Sequence, residues 1–164
     1  GYCYARDNDY DMAVQIDGDG QHDVAFLEGM IRLIEDGQAD VVIGSRFVEK
    51  EGFQSSKLRR TGISFLSGLA RILTGVKVKD ITSGYRLVNR RFIQIFAQDY
   101  PSDYPEPEAV VIAAVHGGRI AEYPVVMRER ENGESSITFK RSVYYMIKVT
   151  LAMLIRRLSF GVRR

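Results

Sequence analysis

Cysteine is almost missing from this 164-residue chain; Cys3 stands alone. One thiol excludes an internal disulfide and any zinc site built from cysteines, and it suits a reducing compartment. Histidine is nearly as scarce. His22 and His116 lie far apart, and neither has a ligand-type partner at i+4. No apolar run reaches the roughly 18 residues that a membrane-spanning helix needs. Proline is limited to four residues, and no repeat or low-complexity stretch is visible, which excludes collagen-like and wholly disordered classes. The last absence is local. Residues 135–164 hold seven basic residues and no acid. The other sixteen Lys and Arg face all 21 acids in residues 1–134, so a body of −5 precedes a tail of +7.

What is present is ordinary for a folded domain: 45% apolar and 27% charged residues, at a length suited to one core. A strand is predicted over Met12–Ile16. Asp23 can cap a helix whose apolar face is Leu27, Met30, Ile31 and Ile34, closed by Gly37. Val41–Ile43 reads as a second buried strand. Glu49–Lys57 reads as a polar loop. A helix face follows at Leu66, Leu69, Ala70 and Leu73, ended by Gly75. Tyr85–Val88 is a strand and Arg91–Phe96 a short helix. Pro107 opens a helix from Glu108 to His116. Ile120–Val126 is an edge strand, because Pro124 removes a ladder donor. Arg128–Ser136 is a charged loop, and Val143, Ile147, Leu151, Leu154 and Leu158 continue as an amphipathic helix. Strands alternating with helices predict an α/β layered domain.

The strongest local feature is Gln15-Ile16-Asp17-Gly18-Asp19-Gly20-Gln21-His22-Asp23. A short strand delivers two carboxylates at its carboxyl end, where open α/β sheets bind ligands. Asp17 and Asp19 point the same way in extended chain, and Gln21 adds a neutral oxygen. Such donors suit Mg2+ or Mn2+, with a substrate phosphate completing the shell. A solvated Asp/Gly turn is the plainer reading of the same residues. An EF-hand does not fit, since His22 occupies the sixth position counted from Asp17, where that loop needs glycine.

These residues resemble the metal-binding Asp-x-Asp segment of family 2 glycosyltransferases, in the dolichol-phosphate mannosyltransferase or polyprenyl-phosphate glycosyltransferase branch. Further pieces follow in that family's order: Gly44-Ser45-Arg46, Asp80-Ile81-Thr82-Ser83-Gly84-Tyr85-Arg86, Pro105-Glu106-Pro107-Glu108, and Arg130-Glu131-Asn132-Gly133-Glu134-Ser135-Ser136. The resemblance implies a GT-A type (Rossmann-like) α/β fold and sugar transfer from a nucleotide-diphosphate sugar. Family members begin with a βαβ segment that shapes the nucleotide pocket. This chain starts at Gly1, just before the acidic strand, so the fold is expected to be incomplete at its N-terminus, as a fragment or a truncated copy.

The resemblance also implies roles. Asp17, Asp19 and Gln21 would hold the cation. Arg46, Arg60 and Ser64 would bind the acceptor phosphate, a task that suits the planar guanidinium fork. Asp80 and Glu108 are the candidate catalytic carboxylates, Glu108 lying with Glu106 where family members carry an acidic pair. Arg130 and Ser135 would close over the donor or acceptor. Plainer readings stand beside these: an arginine paired with a nearby acid, a turn aspartate at Asp80, a first-turn helix acid at Glu108, a charged surface loop at 128–136. A hydroxyl acceptor needs a base, whereas a phosphate is already anionic. Three arginines in matching places favour polyprenyl phosphate as acceptor, with inversion at the anomeric carbon.

Residues 1–140 are therefore expected to form the latter part of a catalytic domain, and residues 141–164 a basic amphipathic helix on the membrane surface. The alternative for that helix is a core element with snorkelling arginines. A peripheral enzyme at the cytoplasmic membrane face is the implied location. Nucleic acid is not an expected partner, because the body is acidic. Two other functions stay open: a non-catalytic membrane-surface module with a vestigial site, and a different metal-dependent phosphate enzyme.

Overall fold

A mixed four-stranded sheet carries helices on both faces in the computed structural model, which describes residues 1–49, 57–128 and 139–162. In chain order the elements are α1 (Tyr2–Asp7), β1 (Met12–Gln15), a 3-10 turn (Val24–Phe26) running into α2 (Leu27–Glu35), β2 (Val41–Ser45), α3 (Lys57–Thr74), β3 (Arg86–Asn89), α4 (Arg90–Gln98), α5 (Pro105–Val115), β4 (Ile120–Pro124) and α6 (Phe139–Val162).

Local chemistry sets most boundaries. Asp23 caps the 3-10 turn through the Ala25 N–H at 2.9 Å. Asn89 caps α4 through Phe92 N at 3.1 Å. Gly37 and Gly75 close α2 and α3 with positive φ, where a side chain would be strained. Pro105 and Pro107 lie in the first turn of α5, which starts earlier than the expected Glu108. The α3 helix starts nine residues before the expected Leu66. Its buried face begins at Ile63 and continues at Leu66 and Ala70. Gly62 conceals that start in the sequence and has a packing role. A Cβ there would stand 3.3 Å from Met146 Sδ on α6.

The strand order is β1-β3-β2-β4. β3 runs antiparallel to both β1 and β2, pairing Val88 with Ala13 and Val41. β2 and β4 are parallel, pairing Ile43 with Glu122. β4 is an edge strand, as Pro124 predicts. The period-2 alternation of β2 splits the core. Val42 packs with Met30 and Leu87 under α2. Val41 packs with Phe92, Ile93 and Ile112 of α4 and α5. Ile43 joins Leu66, Val111 and Met153 between α3, α5 and α6.

α6 contributes Val149 and Met153 to that core, so one of its faces is structural. The residue-141 division falls inside this helix. Part of the basic tail is also committed to the body. Arg156 pairs with Asp99 (2.6 Å) and Glu108, Lys148 pairs with Asp103, and Arg157 Nε donates to the Leu73 carbonyl at 2.8 Å. No helix among the described residues is long and apolar enough to cross a membrane.

Candidate functional site

The acidic loop leaves β1 and doubles back under the chain that follows β4. Asp19 Oδ1 accepts the Gln21 N–H at 3.1 Å, an Asx-type turn. Gln21 and Arg128 exchange backbone and side-chain bonds: Arg128 N–H to Gln21 O at 3.0 Å, and Gln21 Nε2 to Arg128 O at 3.1 Å. The Arg128 guanidinium also reaches Asp23 Oδ2 at 2.7 Å. The Ala25 N–H foremost, helped by Arg128, holds the Asp23 carboxyl below its ordinary range, against the rise that burial causes.

Asp17 lies half-exposed against the 83–85 segment. A Cβ on Gly84 would lie 2.5 Å from Asp17 Oδ2, so only glycine leaves room for this carboxylate. His22 Nε2 approaches the same oxygen at 3.5 Å, and its ring meets Tyr85 edge-on with centroids 5.1 Å apart. Behind Asp17 lies a polar cluster. Tyr100 donates to Gln15 Oε1 at 2.6 Å. Arg86 is buried and spends Nε on the Ser83 carbonyl (2.9 Å) and Nη2 on the Ile81 carbonyl (2.8 Å). Glu106, in the first turn of α5, completes the cluster. Burial pushes its carboxyl up; its own N–H and Arg86 oppose the rise, and the nearby Asp17 charge adds to it. Tyr145 of α6 feels Glu106, Arg59 and Arg86, and burial foremost pushes its hydroxyl up to about 12.

Arg46 and Asp80 come together from opposite sides of α3. Arg46 Nε and Nη2 donate to Asp80 Oδ2 and Oδ1, both at 2.6 Å, and Arg46 N–H adds a bond to Oδ2 at 3.1 Å. Arg46 is 7% exposed and Asp80 0%. Both oxygens of Asp80, a candidate catalytic carboxylate, are thus occupied by an arginine in the interior. Glu108 pairs with Arg156 of α6, while Glu106, two residues earlier and on the other side of the helix, is the acid whose charge couples to that of Asp17. Arg60 and Ser64 are exposed on the first turns of α3, one turn apart. Arg130 and Ser135, and most of the Glu49–Lys57 loop, lie outside the described residues.

The donors fit a hard divalent cation. Asp17 and Asp19 offer carboxylate oxygens and Gln21 an amide oxygen, with no soft ligand beside them. Among the described residues, no group of three or more His, Cys, Asp or Glu gathers around one point.

A mixed α/β layer with an acidic loop at a strand's carboxyl end is consistent with a GT-A type transferase domain. The family described as Glycosyl transferase family 2 matches residues 6–96. The chain belongs to that family. It is 32% identical over 142 residues to the undecaprenyl-phosphate mannosyltransferase of Micrococcus luteus, covering 84% of this chain and 58% of that protein. It is 29% identical over 153 residues to the polyprenol monophosphomannose synthase of Mycolicibacterium smegmatis, covering 91% and 57%. It is 31% identical over 129 residues to the dolichyl-phosphate hexose transferase of Haloferax volcanii, covering 79% and 55%. The chain spans a little over half the length of these curated relatives.

Proposed function

We propose that this chain takes part in moving a sugar from a nucleotide-diphosphate donor to a polyprenyl phosphate at a membrane surface. The observation that carries the proposal is the Asp17 carboxylate seated on Gly84 at the end of β1, with Asp19 and Gln21 on the same loop. The relatives' names supply the acceptor class. Asp17, Asp19 and Gln21 would hold Mg2+ or Mn2+. Bound there, the cation offsets charge on the departing nucleoside diphosphate.

The acceptor phosphate is anionic, so an oxygen attacks the anomeric carbon without giving up a proton. The new C–O bond forms as the bond to the diphosphate breaks, with inversion. No base is required, which agrees with Asp80 being occupied by Arg46. Arg60 and Ser64, one turn apart on α3, bind the acceptor phosphate with Arg46. Glu106 is a partly buried acid whose charge couples to that of Asp17, and it shapes the field of the site.

The membrane reading rests on α6. Val143, Ile147, Leu151, Ile155 and Leu158 are all exposed at spacings of four, four, four and three. α3, packed against α6, adds exposed Phe65 and Ile72. An exposed apolar stripe beside Tyr144 and basic residues is the pattern of a helix lying in the lipid interface. The cytoplasmic face is the side on which nucleotide-sugars are expected to be met.

The test is transfer of labelled sugar from nucleotide-sugars to undecaprenyl phosphate in vesicles with Mn2+, read as label in the organic phase. Asp19→Ala should abolish it. Absence of transfer together with absence of Mn2+ binding would leave the non-catalytic module as the better reading.

A further inference from the structure

The Arg46–Asp80 pair is held from a third element. Glu122, on β4, accepts two consecutive backbone N–H groups through its two oxygens: Lys79 to Oε2 and Asp80 to Oε1, each at 2.8 Å. Charge-assisted bonds of this kind are the stronger ones, and two together fix orientation as well as position. Glu122 can reach both because β4 pairs in parallel with β2, which sets Glu122 beside Ile43 and brings the 79–80 backbone to the end of β2, just before Arg46. Neighbouring bonds lock the same turn. Ser83 Oγ donates to the Gly44 carbonyl at 2.6 Å, and Ser83 N–H to Asp80 O at 3.3 Å. Arg46 Nη2 also meets Thr82 Oγ1 at 3.3 Å.

We propose that Glu122 and Asp80 are positioning residues for Arg46. Glu122 sets the backbone of Asp80. Asp80 then grips Arg46 at its main-chain N–H, Nε and Nη2, so the guanidinium plane has one orientation. A long side chain bound to a ligand ordinarily loses rotamer freedom on binding; here that ordering is built into the fold before any ligand arrives. Burial makes the arrangement sensitive, because neither charge has water as a substitute partner. The consequence for acceptor binding rests on Arg46 being an acceptor-phosphate group, as proposed above. The positioning itself does not.

The experiment uses the whole chain. Nitrogen-15 NMR of arginine side chains reports solvent exchange at Nε–H, with the Arg46 signal assigned by its loss in Arg46→Lys. Farnesyl phosphate binding is followed in parallel by phosphorus-31 NMR. The expected result is slow exchange at Arg46 Nε–H, accelerated at least tenfold by Glu122→Gln and by Asp80→Asn, with farnesyl phosphate binding weakened at least fivefold. Glu122→Asp, which keeps the carboxylate, should retain part of the protection. If Asp80→Asn does not fold, Glu122→Gln carries the test alone. Unchanged Arg46 exchange in folded Glu122→Gln overturns the proposal. Accelerated exchange with unaltered farnesyl phosphate binding, in this variant and in Arg46→Gln, upholds the positioning and overturns the phosphate role of Arg46.

Discussion

Asp17 and Gly84 are in direct contact: the carboxylate occupies the space in which any other residue at 84 would place its Cβ, 2.5 Å from Oδ2. Gly84→Ala should therefore displace Asp17 rather than merely crowd it. Mn2+ affinity, measured by the spin-resonance signal of the free ion, should fall at least tenfold, within the range of about 10–100-fold seen when a metal ligand loses its support. The displaced carboxylate is the half-exposed end of a flexible side chain, so thermal unfolding should shift by about 0.5 kcal/mol or less. Unchanged Mn2+ affinity in a folded variant would show that Asp17 is not a ligand.

Arg46→Gln leaves a buried carboxylate without its charge partner. Removal of one member of a buried pair costs about 3–5 kcal/mol, so urea unfolding should show a large drop in midpoint. Replacing both residues by apolar ones of similar volume should restore much of the loss, because the penalty lies in the orphaned charge. A drop below about 1 kcal/mol for Arg46→Gln would mean that water reaches Asp80.

Asp40 gives a defined acid limb to stability. The Arg119 side chain foremost, then the Arg119 N–H and Asn89, hold its carboxyl down to about 2, against burial, which raises it. A carboxylate depressed in the folded state stabilises above its unfolded pKa, and that contribution disappears as pH falls through the folded value. The Asp40 share should thus be lost between about pH 4 and pH 2. Arg119 is more than half exposed, so solvent screening limits the effect to roughly 1–2 kcal/mol. Comparison of the native chain with Asp40→Asn across that window checks it, the two acid limbs converging near pH 2.

The two acids of α5 should behave differently. Glu108→Gln breaks the tie to Arg156 and should loosen α6, read as faster amide exchange over 148–157. Glu106→Gln removes a mostly buried carboxylate beside Asp17. It should leave α6 exchange unchanged, raise the melting temperature at neutral pH and alter Mn2+ binding. Identical responses from the two variants would contradict their opposite placement.

The apolar stripe of α6 has its own readout. Ile147→Asp combined with Leu151→Asp should cut retention on anionic vesicles at least tenfold, since each buried aliphatic side chain contributes about 1.5–3 kcal/mol. Both positions face outward, so unfolding should shift little. Equal retention would assign the stripe to another partner.

What the sequence determined by itself is local. The 3.6-residue spacing of Leu27, Met30, Ile31 and Ile34, the glycines at 37 and 75, the prolines in the first turn of α5 and the Asp17–Asp23 loop all act within a few residues, so their meaning is legible along the chain. The tertiary structure decided the pairings at long range. β3 runs antiparallel between two strands that are parallel to each other, and no residue of Arg86–Asn89 encodes that direction. Arg46 and Asp80 lie 34 positions apart, and Glu122 lies 42 beyond Asp80. Glu106 and Glu108 differ only by which side of one helix they occupy, and that depends on where α6 and β1 pack. The physical reason is common to all three: a charge takes its role from what desolvates it and what faces it, and both are set when distant segments close around it.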